Sequence, residues 1–272
     1  MQPAVVAEPV ARARLARTTL RVTVGGALLL AACALAAGRL ESWRAAAAAS
    51  AGALPVWLWL CAALRRRLGD NVPVAGPAEL GPRLGAATTI TLVRGWLVSA
   101  VAGFLFLPPH APWIWLPGPV YALAAILDSV DGAVARSYGR PTRLGVDLDV
   151  TTDAAGLLAA PLVAMHWQRL PPWYLLLAFA YPLFRAGLKL RERLGLPTFR
   201  ERLRADPRAR FFAGVQMTCV ATALFPVFPA WLLWPAATIV MLPTLVLFAG
   251  EWRLVTRPLP DALGSLLKEP GS

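Results

Sequence analysis

Four aspartates stand where two long apolar segments of the chain meet a polar segment. Asp128 and Asp131 lie at the end of one apolar run, and Asp149 and Asp153 lie at the start of the next. Carboxylates beside long apolar segments are costly unless they are paired with a positive charge or bound to a cation. Their placement therefore predicts a functional cluster.

The spacing of these residues is that of helix faces. Asp128, Asp131 and Ala135 are three and four residues apart, and Asp149 and Asp153 are four apart. A short polar segment with a glycine and a proline separates the two sets and predicts a hairpin between two helices. That hairpin brings four carboxylates into one pocket, where they repel one another strongly. Divalent cations would remove this repulsion, and all-oxygen sites suit hard ions such as Mg²⁺ or Mn²⁺.

A purely structural polar cluster, or ordinary acidic residues at a helix end, is the alternative interpretation. The pattern, however, fixes eight positions: Asp128, Asp131, Gly132, Ala135, Arg136, Gly145, Asp149 and Asp153. These residues fill every fixed position of a long and specific signature, and in them the chain resembles the CDP-alcohol phosphotransferase family. The resemblance covers about residues 85–250, which in that family form a core of six membrane helices.

The resemblance implies a reaction and a role for each aspartate. A phosphatidyl-type group would move from a CDP-linked lipid, commonly CDP-diacylglycerol, to an alcohol, with release of CMP. Asp128, Asp131 and Asp149 are implied as ligands of Mg²⁺ or Mn²⁺, with two ions in the site. Asp153 is implied as the base that takes the acceptor's proton, and a role as ligand of the second ion stays open for it.

The resemblance also implies which residues form the nucleotide site. They are Gly132, Ala135, Arg136 and Gly145, with Thr142 in the connecting loop as a further candidate. In an earlier apolar run, Thr91 and Arg94 match an Asn-x-x-Thr-x-x-Arg pattern that the family often carries, but Thr88 replaces the asparagine. The departure leaves nucleotide contacts from this helix open. For Arg94, a topology signal and a phosphate-binding role are equally open.

The acceptor alcohol is not determined by the sequence. The family uses glycerol 3-phosphate, inositol phosphate, inositol, serine or a second lipid. A phosphorylated acceptor is favoured by the basic residues Arg94, Arg140, Arg143, Arg185 and Lys189, although these residues also serve membrane topology. No lysine follows Asp153, whereas many members that use glycerol 3-phosphate have one there, which makes that acceptor less favoured.

The composition predicts an all-α protein that crosses a membrane several times. Of the 272 residues, 57% are hydrophobic and only 15% are charged, against about 25% charged in soluble domains. Eight spanning helices are predicted, at residues 22–38, 45–64, 86–107, 113–136, 145–166, 173–190, 211–227 and 229–249. They divide the chain into an N-terminal part with two helices (1–84), a six-helix core (85–250) and a polar tail (251–272).

The net charge of +12 is explained by the positions of Lys and Arg relative to the membrane and does not indicate nucleic-acid binding. With the N-terminus inside, nearly all Lys and Arg fall on the inner side of the membrane. This distribution predicts a cell-membrane protein with both termini and the aspartate pocket at the cytoplasmic face. Arginines before the first apolar run also resemble a signal peptide, but Glu8 and the missing cleavage site favour a retained helix.

The other residues with potential chemistry are assigned no catalytic role. Asp147 is expected on a different helix face from Asp149, and His110 and His166 at the membrane side opposite the aspartates. The three cysteines lie far apart in apolar runs and form neither a disulfide pattern nor a zinc pattern. Two alternative functions stay open, an inactive membrane scaffold and a cation-coupled transporter. Membrane lipids are expected as partners, and a homodimer stays open.

Overall fold

The chain folds into a bundle of α-helices, and the all-α prediction is confirmed. The computed structural model describes residues 8–75, 77, 79–110, 113–137, 141–199 and 207–257. Within these ranges there is no strand, and the helices are α1 (Glu8–Leu40), α2 (Trp43–Arg66), α3 (Ala86–Ala102), α4 (Pro117–Ser137), α5 (Arg143–His166), α6 (Leu176–Arg193), α7 (Pro207–Leu224) and α8 (Ala230–Thr256). Short 3₁₀ helices lie at Leu68–Asp70, Gly103–Phe106, Trp113–Trp115 and Pro172–Leu175.

The first helix begins much earlier than predicted. α1 starts at Glu8 instead of residue 22, because its first turns are rich in Ala, Leu and Arg, which favour helix. Ala11 and Leu15 on this amphipathic part are buried, and Leu15 packs in a cluster with Leu144 and Leu148 of α5. The N-terminal helix is therefore in contact with the helix that carries two of the aspartates.

The protein is a multi-pass membrane protein, but not all eight helices have the character of a membrane span. In the described residues, six helices are long and apolar enough to cross a bilayer: α1 to α5 and α8. α6 does not qualify because its second half is charged, with Arg185, Lys189, Arg191, Glu192 and Arg193. α7 does not qualify either, and it begins with Arg208 and Arg210 in its first turn. The described residues thus contain eight α-helices, as predicted, but only six of them have the composition of a membrane span.

α3 lies at the centre of the bundle and positions the site. It packs against α4, α5, α2 and α1. The middle of α5 buries several small side chains, among them Ala155, Ala159 and Ala160. Small residues let helix backbones approach closely. In a bilayer, this close packing holds helices together where no hydrophobic driving force acts between them. The polar first turns of α3 and α5 are thereby brought close to the last turns of α4.

Two tryptophans make hydrogen bonds at the end of the bundle away from the aspartates. Trp113, just before α4, donates a hydrogen bond from Nε1 to Glu41 Oε2 at 2.6 Å, between α1 and α2. Trp167, just after α5, donates to the carbonyl of Leu107 at 2.9 Å. His110 lies at this same end, with Nε2 3.7 Å from Glu41 Oε1. The placement of His110 away from the aspartates is thus as predicted.

Candidate active site

The aspartates of α4 and α5 converge as their helical spacing predicted. Asp128, Asp131 and Asp149 each place a carboxylate oxygen within 4.8 Å of the others. This is the arrangement in which three oxygens can share one ion, and carboxylates are the ligands that Mg²⁺ and Mn²⁺ prefer. The residues present therefore suit a hard divalent cation. Asp153, one turn further along α5, is not part of this group of three.

A single guanidinium lies among the four carboxylates. Arg94 of α3 donates hydrogen bonds to Asp128 through Nη1, and through Nη2 to Asp149 Oδ1 and Asp153 Oδ1, both at 2.8 Å. Nη1 is also 3.6 Å from Asp131 Oδ2, and the Arg94 side chain is only 3% exposed. One positive charge faces four carboxylates here, so the ionised cluster keeps an excess of negative charge for further cations.

Asp131 is the most enclosed of the four carboxylates and has a second polar partner. Its side chain is 7% exposed, whereas those of Asp128, Asp149 and Asp153 are 32%, 45% and 40% exposed. The Thr91 hydroxyl lies 3.0 Å from Asp131 Oδ2 and also 3.0 Å from the Ala87 carbonyl one turn back. Thr91 therefore orients Asp131, and the other three carboxylates are more exposed than Asp131.

One cavity adjoins Asp131 and Asp149 and is called here the Gly145 cavity. It has a volume of about 260 Å³ between the first turns of α3 and α5 and the end of α4. Its lining includes Thr88, Thr91, Asp131, Gly132, Thr142, Gly145 and Asp149. Four residues predicted for the nucleotide site, Thr91, Gly132, Thr142 and Gly145, are thus brought together around one space.

Gly145 is required by the close approach of α5 to α3. A Cβ atom at this position would lie 2.8 Å from Thr88 Oγ1 and 3.2 Å from Thr142 Oγ1. Thr142 is the N-cap of α5, and its Oγ1 accepts a hydrogen bond from the Gly145 amide at 3.0 Å. The glycine, the cap and Thr88 together set the shape of this wall of the Gly145 cavity.

Two further spaces meet the aspartates from other sides. The Asp153 cavity, about 320 Å³, lies between α5, α6, α7 and α8, and most of its lining is apolar, with Leu157, Leu177 and Phe248 as examples. The Asp128 groove, about 920 Å³, runs along α4, α7 and α8 and is also largely apolar. The aspartate cluster therefore stands where a polar cavity meets two apolar ones.

The residues of this site lie inside the range that one protein family matches. The sequence model of the CDP-alcohol phosphatidyltransferase family matches residues 84–248, which include the aspartates, Arg94 and every described residue of the Gly145 cavity. This chain belongs to that family. The resemblance seen in the sequence is confirmed, and the matched range agrees closely with the expected 85–250.

A curated relative belongs to the same group of enzymes. The CDP-diacylglycerol–glycerol-3-phosphate 3-phosphatidyltransferase of Cereibacter sphaeroides is 30% identical over 135 residues. The match covers 48% of this chain and 59% of that protein, so the chain spans well under two thirds of the relative. No solved structure matches this phosphatidyltransferase-family chain.

The basic residues predicted for the acceptor are not gathered in one place. Arg143, Arg185 and Lys189 are exposed, and none of them lines the three cavities. Arg185 instead lies over the ring of Tyr181, 5.8 Å from its centroid. Arg94 is held among the aspartates. Arg140 and the side chains of Ala135 and Arg136 lie outside the described residues.

The ion pairing of Arg94 is the feature of the site that sequence reasoning missed. A signal for it existed, because an arginine inside an apolar helix, near the same membrane face as four aspartates, needs a negative partner. Asp147 behaves as expected: it points away from the cluster and accepts a hydrogen bond from Arg67 at the exposed surface.

Proposed function

We propose that this protein is an integral membrane phosphotransferase that moves a phosphatidyl-type group from a CDP-linked lipid to an alcohol and releases CMP. CDP-diacylglycerol is the proposed donor. The observation that carries the proposal is the convergence of four aspartates around Arg94, two of which line a polar cavity with Gly132, Thr142 and Gly145, in a chain of the CDP-alcohol phosphatidyltransferase family. The proposed place of this site is the cytoplasmic face of the cell membrane.

The cavities suggest how the donor lies. The Gly145 cavity would hold the CMP part, where hydroxyls of Thr88, Thr91 and Thr142 and the helix N-termini of α3 and α5 offer polar contacts to nucleotide and phosphate. The Asp128 groove between α4, α7 and α8 is largely apolar, so it would take the acyl chains. The pyrophosphate would then lie beside the aspartates.

The proposed reaction divides the work between the aspartates. Asp128, Asp131 and Asp149 would hold Mg²⁺ or Mn²⁺, which when bound supplies positive charge to the pyrophosphate and to the departing CMP. Asp153 would accept the proton of the acceptor hydroxyl. The acceptor oxygen forms a bond to the phosphatidyl phosphorus, the bond from that phosphorus to the CMP oxygen breaks, and CMP leaves with the electron pair.

Two classes of acceptor alcohol are proposed. The relative in Cereibacter sphaeroides is named for glycerol 3-phosphate, but Ala154 stands here where many such members carry a lysine. A phosphorylated polyol and a hydroxyl-bearing lipid are therefore both proposed as acceptors to be tested. The Asp153 cavity, which contacts the proposed base, is the space through which either would approach.

CMP release by the purified protein tests the proposal. The full chain in detergent would be given CDP-diacylglycerol, Mg²⁺ or Mn²⁺ and one acceptor at a time, and CMP and the lipid product would be measured together. Release that needs the metal and one acceptor, with equal amounts of CMP and new phospholipid, supports the transferase. Binding of the CDP-lipid without release, with every acceptor, would instead indicate an inactive scaffold.

A substitution of Gly145 by alanine is expected to weaken donor use. The added methyl group would meet Thr88 Oγ1 at 2.8 Å, so α5 must shift against α3 and deform the Gly145 cavity. We expect kcat/KM for CDP-diacylglycerol to fall by about tenfold or more, since small misplacements at a reacting centre are costly. Initial rates of CMP release over a range of donor concentrations measure this effect.

Gly156→Ala is the matched control for that change. Gly156 lies on the same helix, but its added methyl group would be 3.7 Å from the nearest atom, Val98 Cγ2, which is an ordinary contact. This variant should keep kcat/KM within about twofold of the unmodified protein. If Gly145→Ala and Gly156→Ala behaved alike, the Gly145 cavity would not be the donor site.

A further inference from the structure

The chain between α2 and α3 folds back on itself around one buried asparagine. Asn71 is 1% exposed, and its Nδ2 donates hydrogen bonds to the carbonyls of Gly81 and Arg83, both at 3.0 Å. The Gly81 amide returns a hydrogen bond to the Asn71 carbonyl at 2.8 Å. These bonds close the segment into a loop that ends at α3, which is defined here as the Asn71 loop (68–75, 77 and 79–84).

The Asn71 loop is hydrogen-bonded to the connection between α4 and α5. The Arg143 amide donates to the Val72 carbonyl, and the Val74 amide donates to the Pro141 carbonyl, each at 2.9 Å. These two bonds make an antiparallel bridge between Pro73 and Thr142. Residues some 70 positions apart in the chain are thus held in a fixed register by main-chain bonds.

The bridge holds residues that line the Gly145 cavity. Pro141 and Thr142 line that cavity themselves, and Thr142 caps α5 through the Gly145 amide. At its other end the Asn71 loop runs into Gly85, the N-cap of α3, which also lines the cavity. The loop therefore spans two walls of the same space. It precedes the family match, which begins at residue 84, almost entirely.

We infer that the Asn71 loop positions the donor site and that Asn71 is its positioning residue. Asn71 fixes the shape of the loop, the loop fixes Pro141 and Thr142, and these residues fix the first turn of α5 at the Gly145 cavity. The N-terminal part of the chain thereby contributes to binding of the CDP-linked donor. This inference rests on the proposed function, since it assigns the Gly145 cavity to the nucleotide.

Asn71→Ala tests the inference in the full-length protein. The change removes both side-chain hydrogen bonds and should raise KM for CDP-diacylglycerol by on the order of tenfold, with kcat within about twofold. Binding of CMP alone should weaken by a similar factor, because the defect lies in the cavity and not in proton transfer. Hydrogen–deuterium exchange should rise at residues 141–146, because the Arg143 amide bonds across the bridge to the Val72 carbonyl and the Gly145 and Val146 amides bond to Thr142.

Trp113→Phe is the control for a general loss of stability. It removes the hydrogen bond to Glu41 at the opposite end of the bundle and leaves the Asn71 loop intact. This variant should leave KM, CMP binding and exchange at 141–146 unchanged even where its thermal midpoint falls. A second test variant, Gly81→Ala, places a methyl group 2.9 Å from Asn71 Nδ2 and should reproduce the effects of Asn71→Ala.

The outcomes separate the inference from the proposed function. Equal KM, CMP affinity and exchange in Asn71→Ala and Trp113→Phe would overturn the inference, since Asn71 would then have only a structural role. If the unmodified protein released and bound no CMP, the proposed function would fail. In that case unchanged exchange at 141–146 in Asn71→Ala would overturn the positioning role of the loop as well.

Discussion

Replacing Asp153 by asparagine is expected to lower the rate of CMP release by about 10²–10⁴-fold, the usual worth of a positioned acid or base. Asparagine keeps the size of the side chain and an oxygen that can accept the Arg94 hydrogen bond. It cannot take a proton from the acceptor. Asp153 also lies outside the three-carboxylate group, so binding of the donor and of the ion held by that group should be retained. The measurements are kcat for CMP release and the affinity for CMP.

Asp147→Asn provides the matched control for Asp153→Asn. Asp147 lies on the same helix less than two turns away, but it is 42% exposed and paired with Arg67 on another face. Its replacement should leave kcat within about twofold, as for most surface changes. Full activity in Asp153→Asn, or an equal loss in both variants, would remove Asp153 from the role of base.

Replacing Arg94 by glutamine is expected to make the stability of the protein depend on divalent cations. Without the guanidinium, Asp131 and its neighbours lose the positive charge that the structure places among them. Breaking a buried ion pair costs about 3–5 kcal/mol of unfolding free energy, and the lower end applies because three of the carboxylates are partly exposed. Bound Mg²⁺ should restore much of the lost unfolding free energy. Thermal unfolding with EDTA and with Mg²⁺ measures both effects.

Arg143→Gln is the control for the loss of one positive charge at the same membrane face. Arg143 begins α5 but is exposed and does not contact the aspartates. Its replacement should change the thermal midpoint little and equally with EDTA and with Mg²⁺. A loss in Arg94→Gln that Mg²⁺ did not reduce would mean that the cation does not bind among these carboxylates.

The convergence of the aspartates could be predicted because it follows from local geometry. Helical spacing places Asp128 with Asp131 and Asp149 with Asp153, and a short polar connection keeps the end of α4 near the start of α5. The structure confirms that these carboxylates meet. Gly145 and Thr142 became candidates through the family resemblance, and the structure adds their physical roles: Thr142 caps α5 through the Gly145 amide, and Gly145 lets α5 approach Thr88 of α3.

Contacts between distant parts of the chain left much weaker signals. The bridge between Pro73 and Thr142 consists of main-chain hydrogen bonds, which any residue with a free amide can make, so no side-chain pattern marks it. The contact of α1 with α5 through the buried Leu15 is likewise not visible in the hydropathy of a single helix. The partners of Arg94 lie 34 to 59 residues further on, and only the packing of α3 between α4 and α5 selects them.

Titration of the purified protein with Mn²⁺, followed by electron paramagnetic resonance, tests most directly whether the aspartates form the metal centre of a phosphatidyltransferase. Asp131→Asn removes the most enclosed carboxylate with little change in size. A metal centre predicts saturable Mn²⁺ binding in the unmodified protein, tighter binding when CMP is present, and loss of that binding in Asp131→Asn. Equal Mn²⁺ binding by both proteins, or no binding by the folded unmodified protein, would contradict it.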